Sequence, residues 1–466
     1  MAIVTSTYLS NLEFGNRFDA ELYNPNLLSS FNVLEKLRVD LKLLGELCSI
    51  RSGTTPPDRD DCLKVGPLLF KTTDVRNNIM SPFDEYYHIS PSIHQRMSTT
   101  KIKPYDVLLN IVGATLDVIG RSAIVMNDIN DANITQAMVF LRIKRGILPG
   151  FLFAYINTKY AQDQIKRYAR PTGQFNLNLD EVGKIVIPCF DNSIQQEINE
   201  LVLQSSFFQK QSKALYSQAE QKLAYALQLD QIQISRKKWY TAQYKDVVES
   251  NRLDSAHFKD IYASMLDFYK KKFECKRIGQ FVSLNRRGVQ PIYSNDGDII
   301  VVNSKHLSNS HIKYDQTERT TLQEFEKQQV AQIRFGDVLI YTTGAYVGLT
   351  NAYNIYEKAL ASNHVNILRI SDSSIDPNYL ALVLNSKIGK LQTEKYSCGS
   401  AQLELYPTDI AKFVIPLIHE DEMKEIGKMV RDSLSALNQS KQLLAAAKFR
   451  IEEIIEQEAK KCSCKR

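Results

Sequence analysis

Apolar residues recur three or four positions apart in two long segments of the chain, residues 193–229 and 420–460. In the first segment they are Ile198, Leu201, Val202, Leu215, Ala219 and Leu223, and in the second Ile426, Met429, Val430, Leu443, Ala447 and Ile451. This spacing predicts two amphipathic helices with one apolar stripe each. A helix of about 36 residues is about 54 Å long, and its stripe needs a partner. The other long helix is the expected partner, and packing of each helix back onto its own domain is the alternative.

The residues before each helical segment show shorter patterns that are typical of strands. Runs such as "DVLLNIV", "AMVFLRI" and "KIVIP" are rich in β-branched and aromatic residues and are bounded by Gly, Pro and Asn. Because proline has no backbone N–H, each Val-Ile-Pro is expected to end a strand. The sequence therefore predicts two mixed α and β regions, each followed by a long helix.

The two regions are copies of each other. Residues 149–227 align with residues 377–455 without a gap, and 21 of the 79 positions are identical. Upstream, "LGELCSI" corresponds to "IGQFVSL", and "YDVLLNIVGA" corresponds to "GDVLIYTTGA". This pattern indicates a tandem duplication. The predicted domains are residues 1–190, a spacer helix at 191–235, residues 236–418, and a second helix with a tail at 419–466.

Composition and charge agree with a soluble, non-exported, cytoplasmic protein. The chain has 466 residues, 44% hydrophobic and 24% charged, and no apolar run approaches the ~20 residues that cross a bilayer. Seven cysteines without framework spacing argue against a disulfide scaffold. A net charge of +6 suits a polyanionic partner.

Motifs for catalysis are absent from the sequence. It contains no G-x-x-x-x-G-K-[ST], G-x-G-x-x-G, H-E-x-x-H or G-x-S-x-G pattern. The acidic run "DRDD" at residues 58–61 is expected to be a solvated loop rather than a metal site. We therefore expect no catalytic residue and no metal ligand in this chain.

Two polar loops occupy corresponding places in the copies, "SIRSGTTPP" at residues 49–57 and "LNRRGVQP" at residues 284–291. Arginine can bind guanine O6 and N7 as a fork, Gln and Asn can bind adenine, and hydroxyl groups can bind phosphates. With other loop residues they form a set of candidate DNA contacts. In the first copy these are Arg51, Ser52, Thr54, Thr55, Lys71, Thr72, Arg76, Asn110, Thr115, Arg170 and Gln174, and in the second Arg286, Arg287, Gln290, Ser304, Lys305, Tyr341, Thr342, Tyr346 and Gln402.

The order of these motifs, found twice, resembles the specificity subunits of type I restriction–modification systems. The resemblance rests on "SGTTPP", on "GDVLI" followed by "GA", on "ITQAMVFLRI" and "SNHVNILRI", on "GQFNLNLDEVGKIVIP" and on the "IQQEI" entry to a long helix. It covers residues 17–455. The second copy departs from the pattern with "RRGVQP" and "SAQLELYP".

The resemblance implies a mixed α/β fold in which two similar target-recognition domains, residues 17–188 and 252–416, are separated by a pair of long antiparallel helices with pseudo-two-fold symmetry. Each domain would read half of a split, asymmetric target in double-stranded DNA, and the helices would set the distance between the halves. Methyltransferase subunits, two of them, would dock on the chain and bring S-adenosylmethionine. Restriction and translocase subunits would bring ATP and Mg²⁺, so that this chain itself would hold no cofactor and catalyse nothing.

Two other functional classes stay open on the residues alone. One is a fused methyltransferase or nuclease whose motifs are not recognised. The other is a helical scaffold or adaptor that binds no DNA. A methyl-transfer assay of the purified chain tests the first class, and salt-dependent retention on duplex DNA tests the second.

Overall fold

The computed structural model describes residues 20–82, 84–232, 239, 241–399 and 402–463. The chain divides into two compact units. The first unit consists of the residues up to Lys210 and those from Ala436 onward, and the second consists of Gln211–Ser435. Each unit therefore takes its residues from both predicted copies.

The first unit contains thirteen described strands and six described helices, besides its parts of the two long helices. The strands are β1 (Asp40–Leu43), β2 (Cys48–Ser52), β3 (Leu68–Phe70), β4 (Asn78–Ile79), β5 (Tyr87–His88), β6 (Val107–Asn110), β7 (Val112–Gly113), β8 (Ser122–Ile124), β9 (Ala132–Ile134), β10 (Met138–Ile143), β11 (Arg170–Thr172), β12 (Gln174–Asn176) and β13 (Val186–Cys189). The helices are α1 (Pro25–Leu34), α2 (Leu44–Leu47), α3 (Pro91–Arg96), α4 (Pro149–Ile156), α5 (Lys159–Tyr168) and α6 (Leu179–Gly183).

One long helix, α7 (Asn192–Ala226), connects the strands of the first unit to the elements of the second. The second unit then contains β14 (Glu274–Arg277), β15 (Val282–Arg287), β16 (Ile299–Val302), β17 (Glu318–Thr320), β18 (Gln332–Ile333), β19 (Val338–Tyr341), β20 (Thr350–Ala352), β21 (Ala359–Ala361), β22 (Val365–Ile370) and β23 (Val414–Leu417). Its helices are α8 (Tyr244–Ser250), α9 (Asp260–Lys272), α10 (Leu322–Lys327), α11 (Pro377–Asn385), α12 (Lys387–Tyr396) and α13 (Pro407–Ile410), and the second long helix is α14 (Glu420–Ser463).

The two units share the strand order of their main sheets. The main sheet has the order β2-β10-β6-β8 in the first unit, with β4 at its edge, and β15-β22-β19-β20 in the second. A smaller sheet pairs β3 with β9 in parallel, and its counterpart pairs β16 with β21 in parallel. A two-stranded ladder, β1 with β13 or β14 with β23, completes each unit. The common strand order is what the duplication in the sequence predicts.

The copies differ at the hairpin that follows α5 and α12. In the first unit, β11, β12 and β7 form a three-stranded sheet. The corresponding place in the second unit has isolated bridges from Glu404 to Thr343 and to Cys398. Residues 400 and 401 of the "SAQLELYP" motif lie outside the described residues.

Within each unit a segment of α7 packs against a segment of α14 in antiparallel orientation. In the first unit, the Ser205 hydroxyl donates to the Ser440 carbonyl (2.8 Å), and Arg450 pairs with Glu197 (2.8 Å). In the second, the Ser433 hydroxyl donates to the Ser212 carbonyl (2.8 Å), and Lys222 pairs with Glu425. The partner numbers fall along α14 as they rise along α7, which confirms the antiparallel pairing.

The predicted apolar stripes pack into the cores of both units. Ile198 and Val202 of α7 and Ala447 and Ile451 of α14 lie in the core of the first unit. Their repeat equivalents, Ile426, Val430, Ala219 and Leu223, lie in the core of the second. Each unit therefore completes its core with the first half of one long helix and the second half of the other.

Two predicted element ends differ from the structure. The first long helix ends at Ala226, before the predicted residue 229, because Gln228 adopts a left-handed backbone with φ of 51°. Pro188 and Pro416 lie inside β13 and β23 rather than ending them. Each strand belongs to a two-stranded ladder, and a proline without an N–H is tolerated at such an edge.

The five cysteines whose side chains are described are free thiols. Burial raises the pKa of the Cys48 thiol to about 12. Cys464, at the C-terminal end, lies outside the described residues. No helix in the described part of the chain combines the length and apolar character needed to cross a lipid bilayer.

Candidate nucleic-acid interface

Arg51 and Arg286 occupy equivalent positions in the two units. Arg51, in β2, lies opposite Phe140 of β10, and Arg286, in β15, lies opposite Ile367 of β22. Phe140 and Ile367 are themselves equivalent, because both stand two residues before the arginine of an Leu-Arg-Ile sequence. Both Arg51 and Arg286 are exposed, and neither side chain forms an ion pair with any residue in the described ranges. Each presents a guanidinium that is available to an anionic or base ligand.

A glycine follows β2 and β15, and in each case the end of a neighbouring strand lies too close to leave room for a side chain. A Cβ atom at Gly53 would lie 2.0 Å from the carbonyl oxygen of Ile134, and one at Gly288 would lie 2.0 Å from that of Ala361. The next residues, Thr54 and Val289, donate their backbone N–H groups to these same two carbonyl oxygens, at 3.1 Å each. The glycine of "SGTTPP" therefore has a structural role, which holds the polar loop against the sheet.

Replacing Gly53 by alanine is expected to destabilise the first unit by about 2 kcal/mol or more, because the contacting atoms are backbone. Gly183→Ala is the matched control, since its Cβ would lie 3.9 Å from the nearest atoms. Thermal denaturation of the two variants measures the difference. Equal stability of Gly53→Ala and wild type would show that the close approach is absent in solution.

The other candidates of the first turn lie beside Arg51. Ser52 is half-buried at the end of β2, Thr54 is exposed, and Thr55 accepts the backbone N–H of Gln136 through its hydroxyl (3.4 Å). This backbone contact orients the Thr55 hydroxyl. The turn thus combines one free guanidinium with three hydroxyl groups.

Four more first-copy candidates come together at the loop after β3. The Lys71 ammonium lies 3.8 Å from the centre of the Tyr87 ring, and the Arg76 guanidinium donates to the Thr73 carbonyl (2.7 Å). Asn110 is fully buried and donates its amide to the Thr72 carbonyl (3.0 Å). The Asn110 side chain has no exposed surface, and its hydrogen bond to Thr72 holds the loop that follows β3.

Thr115, Arg170 and Gln174 form a separate group at the β7–β12 pairing. Gln174 and Thr115 are exposed, and the turn between β11 and β12 contains Gly173 with φ of 79°. The Arg170 guanidinium donates twice to Glu181 Oε1, at 3.0 and 2.5 Å. Arg170 is therefore neutralised by a carboxylate and braces the hairpin.

In the second unit, Arg287, Tyr341, Thr342, Tyr346 and Gln402 lie around one end of the main sheet. The Thr342 backbone accepts the N–H of Leu405 (2.9 Å), and the Arg287 guanidinium donates to the Leu405 carbonyl (3.0 Å). Tyr341 is half-buried, Gln402 is exposed, and Thr342 is fully buried, so its hydroxyl has no exposed surface.

Tyr346 is 67% exposed at the mouth of a cavity of about 840 Å³. The cavity lies wholly within the second unit, and its walls include Gly348, Thr393, Cys398 and Leu403. An exposed aromatic ring at such an edge can stack on a base or a sugar.

Gln290, Ser304 and Lys305 belong to a second polar group of this unit. The Gln290 amide donates to the Tyr293 hydroxyl (3.3 Å), which in turn donates to the Asn303 side chain (3.1 Å). Lys305 pairs with Glu318, and Ser304 is half-buried in the turn before it. The charge of Lys305 is therefore balanced within the unit.

His306, next to Lys305, was not selected from the sequence. Its ring accepts the Asn303 backbone N–H (2.9 Å), and burial lowers its pKa below the ordinary value. Burial thus disfavours the protonated ring, and the hydrogen bond from Asn303 holds the turn. No local sequence motif indicates that His306 belongs to this polar group.

Two glutamines that sequence reasoning missed fix the strand after each candidate hairpin. Gln164 accepts the Val186 N–H (2.8 Å) and donates to the Val186 carbonyl (3.2 Å). Its repeat equivalent, Gln392, does the same with Val414, at 2.6 and 2.9 Å. Their identity in the repeat alignment was the signal that could have found them.

The described residues contain no group of three or more His, Cys, Asp or Glu side chains that could hold a metal ion. In the "DRDD" run, Asp58 pairs with Arg96 (2.5 Å) and Asp61 with Arg59 (3.2 Å). These carboxylates are engaged in exposed ion pairs, as expected for a solvated loop.

Comparison with protein families identifies the second copy directly. Residues 270–446 match the model of the Type I restriction modification DNA specificity domain, which confirms the predicted resemblance over these residues. A search of the curated proteins gives no significant match.

Three solved structures are similar over most of the chain. The S subunit of a type I restriction–modification system from M. genitalium has 12% identity and a TM-score of 0.44, over 91% of this chain and 96% of that one. The HsdS subunit from Thermoanaerobacter tengcongensis has 16% identity and a TM-score of 0.27, over 91% and 96%. A chain from a structural study of type I complex assembly and conformational transition has 15% identity and a TM-score of 0.29, over 91% and 97%.

Proposed function

We propose that this chain is the non-catalytic DNA-recognition subunit of a type I restriction–modification complex, and that it reads a bipartite, asymmetric target. The observation that carries the proposal is the duplicated recognition fold. The second copy matches a DNA specificity domain, and the first copy repeats its strand order with an exposed arginine at the equivalent position.

Each copy would read one half of the target through its exposed arginine. A guanidinium binds guanine O6 and N7 as a fork, and neighbouring hydroxyl and backbone N–H groups position the phosphates. The two copies present different neighbours: Arg51 is followed by Ser52, and Arg286 by Arg287. Because the two copies share a fold but carry different side chains beside the arginine, their two half-sites would differ in sequence.

The long helices would dock two methyltransferase subunits, which bring S-adenosylmethionine, and restriction and translocase subunits, which bring ATP and Mg²⁺, would join that core. Phe207 and Phe449 are exposed on the helix segments of the first unit, at 64% and 67%. A docked subunit would cover these two rings. We place the complex in the cytoplasm, where host DNA is methylated.

Binding to duplex DNA tests the proposal. The chain, purified together with the methyltransferase subunit of its own system, is expected to bind its target with an affinity that falls steeply with salt, because phosphate contacts release counterions. The Arg51→Ala and Arg286→Ala changes are each expected to weaken binding by about 1–3 kcal/mol. Unchanged affinity and unchanged salt dependence in the double variant would contradict the assignment of these loops.

A further inference from the structure

The two copies differ chemically on one face of the main sheet. Register places Asn285, Arg287 and Asn366 of the second copy where the first has Ile50, Ser52 and Val139. This equivalence follows because Asn366 lies opposite Arg287, as Val139 lies opposite Ser52. The first copy therefore has two apolar side chains and a serine at these positions, and the second has two amides and a guanidinium.

The polar side chains of the second copy form a connected series. The Asn366 amide donates to Asn285 Oδ1 (2.9 Å), and the Asn285 amide donates to the Pro407 carbonyl (2.8 Å). Arg287 donates to the Leu405 carbonyl (3.0 Å). Both acceptors belong to the same short segment, so the amides and the guanidinium hold residues 405–407 together.

The same segment shapes the surroundings of the Arg287 guanidinium. Glu404 Oε2 lies 3.7 Å from Arg287 Nη2, and the Tyr406 ring lies 4.9 Å below the guanidinium carbon. The Arg287 side chain is 24% exposed, so part of it reaches the surface, while its Nε is buried. Its direction is set by the carbonyl, the carboxylate and the ring together.

The series has unused hydrogen-bonding capacity. In the described part of the chain, Arg287 Nε, Asn366 Oδ1 and Thr342 Oγ1 are buried without a hydrogen-bond partner in the protein. Such groups are less favourable than apolar side chains of the same shape. The first copy shows that the fold forms with Ile50 and Val139 instead, so stability does not explain the amides.

We propose that Asn285 and Asn366 are positioning residues for base recognition by the second copy. They fix residues 405–407 and thereby aim the Arg287 guanidinium at a base. The inference rests on the proposed function and deepens it, because it assigns part of the second half-site preference to a buried amide series that the first copy lacks.

The test replaces the two amides by the apolar residues that the first copy has at the equivalent positions. The full chain carrying Asn285→Ile and Asn366→Val is assembled with its methyltransferase subunits, and methylation is measured on duplexes with each single-base change in either half-site. We compare the methylation rate of the cognate duplex with that of each duplex altered in the second half-site. The ratio of these rates is expected to fall about tenfold at one base position, because one arginine fork provides discrimination of this size. Preference in the first half-site is expected to stay unchanged.

A matched control removes another amide pair of the same unit. The Asn354 and Asn378 amides donate to each other's oxygens, at 2.9 and 3.0 Å, away from Arg287. Asn354→Ala with Asn378→Ala is expected to leave both base preferences unchanged. If this control relaxes the second half-site as much as the amide exchange does, the effect is a general loss of stability and the proposal is overturned.

A second variant keeps the test decisive if the amide exchange fails to fold. Arg287→Ser, which copies Ser52, is expected to relax the same single base position. Relaxation at a different position, or an unchanged ratio in Arg287→Ser, overturns the inference while the proposed function stands. A wild-type complex that methylates no duplex overturns the proposed function, and the inference with it.

Discussion

Arg142→Ala is expected to lower the free energy of unfolding of the first unit by about 3–5 kcal/mol, the usual effect of leaving a buried charge without its partner. Arg142 holds Asp106 with two hydrogen bonds, of 2.9 and 2.6 Å. Asp106 is 1% exposed, and it also accepts the Lys103 backbone N–H (2.7 Å). The lost guanidinium leaves this carboxylate buried between two strands. Hydrogen exchange of β6 and β10 in increasing urea measures the change.

The matched control is Arg96→Ala. Arg96 and Asp58 form an ion pair of 2.5 Å, but their side chains are 62% and 53% exposed. Water and salt screen such a pair, so its loss is expected to cost about 0–1 kcal/mol. Equal destabilisation by the two variants would show that burial of Asp106 does not decide the energy of its pair.

The second large effect is a change of oligomeric state. A chain that ends at Ile232 lacks α14, whose Ala447, Ile451 and Ile455 lie in the core of the first unit. The remaining part of α7 has Ala219, Leu223 and Leu227 at the equivalent repeat positions. Two such chains can each supply the helix segment that the other lacks.

We therefore expect residues 1–232 to form a homodimer, with twice the chain mass by light scattering. Burial of Leu223 and Leu227 of each chain, at about 1.5–3 kcal/mol each, favours the pairing. Leu223→Asp in the same fragment is expected to prevent it. A stable, soluble monomer of the unsubstituted fragment would show that the second half of α7 cannot replace α14.

The sequence predicted the local elements and the duplication of the chain. The run "AMVFLRI" was predicted to be a strand, and it contains β10. This prediction succeeds because the hydrophobic pattern and β-branched residues of a strand are local features of its own sequence. Most residues of the apolar stripes were predicted for the same reason, although Leu215 and Leu443 are only half-buried. Ile198 and Ile426 are both fully buried.

The sequence did not predict which groups the strands and helices bring together. The Arg142–Asp106 pair joins residues 36 positions apart, and its counterpart Arg369–Asp337 joins residues 32 apart. Exposure at the candidate interface depends on this pairing. Asn110 and Arg51 look alike as polar loop residues, yet one is buried beneath Thr72 and the other is exposed. Only the strand register shows which of the two side chains is buried and which is exposed.

Methylation motifs measured in three strains test the central claim most directly. The strains carry the complete system with the wild-type chain, Arg51→Ala or Arg286→Ala, and the methylated sites are read across the genome. Because Arg51 and Arg286 are equivalent residues of two copies that read different halves, each change is expected to relax one base position in a different half of the motif. Relaxation of the same half by both changes, or of neither half, would contradict the account.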